Sequence, residues 1–160
     1  MKKLRLMLIG FLVMTACIII LPLQVDAASE SDLTFKLVDE KEYWVQSCDQ
    51  KASGELVIPS SYNGLPVTGI GQSAFYECEE LTRVTVPEGV TTIEDTAFSG
   101  CTKLKSVSLP NTLTAVGNRI FSECKELSYT AYDNASYLGN EKNPYAVLLQ
   151  YASKDITDCQ

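Results

Sequence analysis

Apolar residues recur along the chain at intervals of 23 positions. The phenylalanine, cysteine, leucine and isoleucine or valine columns all keep this interval, in phase with one another. They are Phe75, Phe98 and Phe121; Cys78, Cys101 and Cys124; Leu81, Leu104 and Leu127; and Ile70, Ile93 and Val116. Because a unit of this length cannot bury its apolar face alone, the period predicts stacked units that share one continuous core.

Within one unit, the spacing of the apolar positions changes from two to three or four. Val84 and Val86 alternate with polar residues as in a β-strand, and Pro87 ends that strand because proline has no N–H for sheet pairing. After a polar turn, the apolar spacing within residues 97–104 favours one short turn of helix. The predicted fold is a leucine-rich repeat solenoid, with short parallel β-strands on one face and short helical or 3₁₀ returns.

The repeat resembles a known family. Its pattern Leu-x-x-Val-x-Val/Leu-Pro-x-x-Val/Leu-x-x-Ile/Val-x-x-x-x-Phe-x-x-Cys is similar to the BspA-like leucine-rich repeat of bacterial and protist surface and secreted proteins. Residues 53–71 resemble the variant first repeat of that family, with five extra residues at an Asn-Gly-Leu-Pro turn, and residues 137–145 resemble a connector between repeat blocks. The resemblance implies an exported binding or adhesion module, and it implies no catalytic residues because the family pattern names only core positions.

The first 27 residues are organised like a secretory signal peptide. A basic start at residues 2–5 precedes an apolar stretch of 18 residues, 6–23, and small side chains then mark a cleavage site between Ala27 and Ala28. Two alternatives stay open. The apolar stretch is long enough for an uncleaved signal anchor, and the residues up to Cys17 resemble a bacterial lipobox in which Cys17 is lipidated. All three predict a secreted or cell-surface protein, in contact with a membrane only through the anchor or the lipid.

These patterns divide the chain into four segments. We predict a signal peptide at 1–27, an N-terminal flank or cap at 28–52, leucine-rich repeats at 53–128, and a C-terminal connector or cap at 129–160. The last segment keeps the strand spacing but replaces the apolar residues and the proline. Since a solenoid needs polar caps on its terminal repeats, either this segment is the cap or the chain is a fragment of a longer protein, and the capping argument favours the fragment.

Charge and composition narrow the classes of function. The whole chain has a net charge of −7, and the part after residue 27 holds ten basic and nineteen acidic residues. A nucleic-acid partner is therefore not expected. The sequence contains no histidine, which excludes Ser-His-Asp and Cys-His catalysis and histidine metal ligation within this chain. We expect no enzyme activity, no metal and no cofactor.

Five cysteines follow the predicted signal peptide: Cys48, Cys78, Cys101, Cys124 and Cys159. The three in the repeat column lie on consecutive units about 5 Å apart, within the Cα range of a disulfide. Their side chains all point inward and in parallel, which suits bonding poorly, so a reduced ladder of buried cysteines is predicted. The spacing also lacks the close cysteine pairs of zinc sites. Cys48 and Cys159 stand near opposite ends of the chain, so no bond between them is expected.

The outward-facing strand positions form the candidate interaction face. By repeat alignment they are Thr82, Arg83, Thr85, Lys105, Ser106, Ser108 and Tyr129, with Val57 and Ser128 beside them. Sheet faces of solenoids are frequent binding surfaces, although threonine and serine also suit any exposed strand. The sequence predicts a non-enzymatic surface module for protein or glycan binding, with a structural spacer of a larger surface protein as the alternative, and it names no ligand.

Overall fold

The computed structural model describes residues 27–132, 135–138 and 147–151. These residues form short β-strands joined by turns, together with a 3₁₀ helix at Glu30–Asp32. In chain order the strands are β1 (Leu33–Val38), β2 (Glu42–Cys48), β3 (Gly54–Val57), β4 (Ser61–Tyr62), β5 (Leu65–Ile70), β6 (Leu81–Thr85), β7 (Thr92–Ile93), β8 (Ser106–Ser108), β9 (Ala115–Val116), β10 (Thr130–Tyr132), β11 (Ala135–Leu138) and β12 (Val147–Tyr151).

The repeats build two sheets, and each coil (one full turn of the solenoid) adds a strand to both. The front sheet has the order β3-β6-β8 and is parallel throughout. The back sheet has the order β1-β2-β5-β7-β9, in which β2, β5, β7 and β9 are parallel and β1 is antiparallel to β2. A separate antiparallel sheet, β10-β11-β12, follows the repeats. The predicted leucine-rich repeat solenoid with parallel strands is therefore confirmed.

One hydrophobic core lies between the front and back sheets. Leu56, Val84 and Val107 line it from the front, Ile70 and Ile93 line it from the back, and each is at most 5% exposed. Val84 pairs in register with both of its front-sheet neighbours. Residues one period apart occupy the same place in successive coils, so the 23-residue pattern selects the core positions directly.

The phenylalanines of the repeats form a stacked column inside this core. The ring centroids of Phe75 and Phe98 are 4.7 Å apart, and those of Phe98 and Phe121 are 5.3 Å apart. The rings are nearly parallel, and Phe75 and Phe98 are fully buried. Stacked aromatic pairs at these separations contribute beyond their buried area. The column therefore ties the successive coils together.

The returns between back and front strands are consecutive turns, which differ from the short helices predicted. Along residues 73–78 the N–H groups alternate: those of Ser73, Phe75 and Glu77 donate to the next coil, and the N–H groups between them donate within the turn. A left-handed residue recurs at the equivalent positions Glu77, Gly100 and Glu123, with φ of 57°, 83° and 61°. A helix would use every N–H inside itself. Bonding to the neighbouring coil replaces half of those internal bonds, so the backbone keeps the register of the repeat.

Residues 33–48 form a hairpin that extends the back sheet, and an aromatic cluster packs against it. The Tyr62 ring stacks on Phe35 at 4.2 Å and meets Tyr43 edge-on at 5.0 Å. Tyr62 reaches this place through the β4–β5 hairpin, which turns at Asn63 and Gly64, both with positive φ. Asn-Gly is the favoured pair for such a two-residue turn. The five extra residues of the first repeat thus place an aromatic side chain under the hairpin.

Several sequence predictions fall outside the described residues. They include most of the signal peptide with Cys17, as well as Cys159 and much of residues 129–160. The boundaries of the four segments and the three alternatives for the N-terminus therefore stay predictions. In the described ranges, no helix has the length and apolar character needed to cross a lipid bilayer.

Candidate functional site

The front sheet brings the predicted interaction residues into aligned rows. Three rows run across the coils: Glu55–Arg83–Ser106, Val57–Thr85–Ser108 and Thr82–Lys105–Ser128. In the last row the Lys105 N–H donates to the Thr82 carbonyl, and the Ser128 N–H donates to the Lys105 carbonyl, both at 2.9 Å. Tyr129 follows Ser128 directly and stands at the edge of the face. Repeat alignment alone therefore placed these residues on one surface.

Both cations of this face have carboxylate partners, which the repeat alignment did not reveal. Arg83 Nε lies 3.2 Å from Glu55 Oε1, and Lys105 Nζ lies 3.9 Å from Glu126 Oε2. All four side chains are at least half exposed. Exposed ion pairs of this kind contribute little to stability and open readily. The face is therefore a balanced polar surface rather than a basic patch on an acidic protein.

Two exposed hydrophobic side chains stand at opposite ends of the same face. Val57 on β3 is 66% exposed, and Tyr129 beyond β8 is 57% exposed. Between them lie the hydroxyl groups of the central rows. Exposed aromatic residues with an apolar body and a polar tip are enriched at protein interfaces. The front face thus combines two apolar anchors with hydrogen-bonding groups between them.

A ladder of thiols runs through the turns beside the core. Cys78 and Cys101 are buried, Cys48 and Cys124 are half-buried, and all four are free. The thiols of Cys101 and Cys124 each donate to a backbone carbonyl of the preceding coil at 3.1 Å. Cys48 lies within hydrogen-bonding reach of Cys78 and extends the ladder. Sequence reasoning missed Cys48 because it stands outside the 23-residue phase. Across the described residues, no group of three or more metal-ligating side chains is placed to hold a metal ion.

The thiols of this ladder should differ in reactivity. Burial and a hydrogen bond with Cys124 raise the pKa of the Cys101 thiol, whereas the hydrogen bond with Cys101 lowers the pKa of Cys124. Because the thiolate is the reactive form, we expect iodoacetamide to modify Cys124 at least about tenfold faster than Cys101 at mildly alkaline pH. Peptide mapping by mass spectrometry over time measures both rates. In urea the two rates should converge, and equal rates in the folded protein would contradict the prediction.

The comparisons with known proteins point to one family. The model of the BspA type leucine rich repeat region (6 copies) matches residues 57–142, which is more than half of the chain. A leucine-rich repeat protein of T. pallidum is similar in structure, with a TM-score of 0.61 and 27% identity over 72% of this chain and 54% of its own. A leucine-rich cell surface protein of Faecalibacterium prausnitzii has a TM-score of 0.52 and 26% identity over 64% of this chain and 29% of its own. The chain thus spans about half the length of the first and under a third of the second. No curated protein matches the chain in sequence.

The architecture agrees with these similarities. The parallel front strands, the stacked phenylalanine column and the thiol ladder are all produced by one 23-residue unit. The family model covers the residues that build these features. This chain belongs to the BspA type leucine-rich repeat family.

Proposed function

We propose that this chain is an exported, non-enzymatic repeat module of a bacterial cell surface, and that its front sheet contacts protein or glycan ligands. The observation that carries the proposal is the outer face of β3, β6 and β8. It aligns hydroxyl groups in register between the exposed side chains of Val57 and Tyr129. A similar solved structure is described as a cell surface protein, which supports the location.

The chemistry of the face suits a macromolecular partner. Its rows extend across the coils of an open sheet, so a ligand would meet many side chains along one surface. The Arg83–Glu55 pair is solvent-exposed, so either side chain can turn to a ligand at small cost. Patterned residues elsewhere in the repeat serve the core, which leaves recognition to these outward positions.

The test compares the protein with a triple variant of the face. Collagen, laminin and mucin are immobilised, and binding of the purified protein is followed by biolayer interferometry. We expect binding to at least one of the three, and we expect Arg83→Ala/Lys105→Ala/Tyr129→Ala to weaken it by about tenfold or more. The exposed ion pairs predict that this variant stays folded, with less than ~1 kcal/mol of lost stability per pair.

The control carries the same types of residue away from the front sheet. Lys41, Lys51 and Tyr76 are exposed and stand on other surfaces, so their triple alanine variant should bind as the parent protein does. Equal loss in both variants would contradict a front-sheet site. Binding to none of the three proteins would contradict the proposal and favour the structural spacer.

The N-terminus of the exported protein tests the location. After expression in a bacterial host, intact-mass analysis of the secreted fraction should show a chain that begins at Ala28. A lipid-modified chain beginning at Cys17 would support the lipobox alternative, and an uncleaved chain in the membrane fraction would support the signal anchor. An uncleaved chain confined to the cytoplasm would contradict export.

A further inference from the structure

The outer face of the back sheet carries a trough that plays no part in the front-sheet proposal. Two adjoining cavities, of about 290 Å³ and 350 Å³, share the residues Gln72 and Glu94. One is bounded by Trp44 and the other reaches Ala115 on β9. We call this continuous depression the back-sheet trough; it runs across β2, β5, β7 and β9.

Small side chains on an outward-facing sheet create the trough. One row across the strands pairs Trp44 with Gly69, then Thr92, then Ala115. The neighbouring row contains Gly71 and Gly117, which line the two cavities. Where the side chains of a row are hydrogen or methyl, the backbone itself becomes the floor. The sheet therefore has a groove between its larger polar residues.

Trp44 forms a fixed aromatic wall at one end of the trough. Its indole Nε1 donates to Glu42 Oε1 at 3.1 Å. The ring lies so close over Gly69 that a Cβ at residue 69 would overlap it. The side chain is half-buried and lines the cavity. Because its N–H is bonded and its position is set by packing, little conformational entropy remains to be lost on binding.

Polar groups stand along the trough beyond the indole. Gln46 and Gln72 have exposed amide side chains, and both line the cavity next to Trp44. Glu94 Oε2 accepts a hydrogen bond from the Gln72 N–H at 2.8 Å, which holds the carboxylate at the junction of the two cavities. Amides and carboxylates with an aromatic wall can bond to hydroxyl groups and pack against C–H faces at the same time.

The charge around the trough selects against acidic ligands. Lys36 lines it as a cation. Glu94 and Asp95 line it as anions, and Glu42 bonds to the indole beside it. Carboxylated or sulfated sugars would meet this excess of negative charge. A neutral chain of sugar units combines the hydroxyl groups and the C–H faces that the lining residues can bind.

We propose that the back-sheet trough binds a neutral oligosaccharide. One sugar ring packs on Trp44, and its hydroxyl groups bond to Gln46, Gln72 and Glu94. The next units lie over the glycine and alanine floor towards Ala115. This site lies on the opposite sheet from the proposed front-sheet site, and the two can be tested separately.

Trp44 supplies its own reporter, because it is the only tryptophan in the chain. The purified protein is titrated with cellotetraose, chitotetraose and maltotetraose as neutral probes, and with tetrasaccharides of hyaluronan and polygalacturonate as acidic probes. We expect at least one neutral probe to change the tryptophan emission saturably, with a Kd on the order of 1 mM or lower. The acidic probes should bind at least about tenfold more weakly.

Three variants define the site. Ala115→Phe fills the far end of the trough without touching Trp44 and should weaken binding by about tenfold or more. Gln72→Ala removes one amide and should weaken it severalfold. Ser108→Phe places the same bulk on the exposed front sheet and should leave sugar binding unchanged.

The outcomes are distinct. No saturable response to any neutral probe, a preference for the acidic probes, or equal affinity in Ala115→Phe and Ser108→Phe would each overturn the proposal. Loss of protein binding in the front-sheet triple variant with unchanged sugar binding would support two separate sites. Sugar binding that the front-sheet triple variant abolishes would place the site on the front sheet and overturn the back-sheet proposal.

Discussion

Phe98→Ala should lower the free energy of unfolding by roughly 3–5 kcal/mol. Phe98 is fully buried, and its ring stacks on Phe75 and on Phe121 at 4.7 Å and 5.3 Å. Truncation leaves a cavity and breaks both stacked contacts, so it uncouples the central coil from both neighbours. Urea unfolding followed by circular dichroism measures the change.

Tyr76 offers a matched control for this loss. It belongs to the same return segments, yet its side chain is 46% exposed and points away from the core. Tyr76→Ala should therefore change the free energy of unfolding by no more than ~0.5 kcal/mol. A loss below about 1 kcal/mol for Phe98→Ala would show that the phenylalanine column does not hold the coils together.

Gly117→Ala should destabilise the protein by about 2–3 kcal/mol through overpacking. A Cβ at residue 117 would collide with the backbone nitrogen of Asp95 and its carboxylate. The Gly117 N–H also donates to the Ile93 carbonyl at 2.7 Å, so the segment cannot move away without losing a bond between coils. Thermal and urea unfolding of the variant measure the cost.

Gly71 occupies the equivalent position two periods earlier and serves as the control. There the nearest atom to a new Cβ is the Val45 carbonyl oxygen at 3.2 Å, a contact that a small shift relieves. Gly71→Ala should therefore cost less than ~1 kcal/mol. Equal losses at the two positions would mean that the close approach of Gly117 to Asp95 is not what requires glycine there.

The core was predictable from the sequence because it follows the period. Val84, Ile93 and Phe98 are buried, as the repeat pattern predicts for their columns. The conformation of the returns was not predictable in the same way. The spacing within residues 97–104 fits a helix, but the N–H groups of Thr96, Phe98 and Gly100 donate to the next coil. Local spacing carries no information about hydrogen bonds to a neighbouring repeat.

The candidate site divides along the same line. Repeat alignment placed Arg83 and Ser106 side by side, because it compares positions one period apart. It did not pair Arg83 with Glu55, since the first repeat has a different length. Nor did it indicate the trough, which depends on Trp44 lying over Gly69 from a hairpin outside the repeats.

The sequence by itself determined the period, the core columns and the residues of the front face, because residues one period apart take the same place in successive coils. Only the tertiary structure decided which N–H groups bond between coils, which carboxylates partner Arg83 and Lys105, and that Cys48 joins the thiol ladder. These contacts join residues that share no phase of the repeat. Their proximity comes from how the coils stack and how the N-terminal hairpin packs on them, and no spacing along the chain records that.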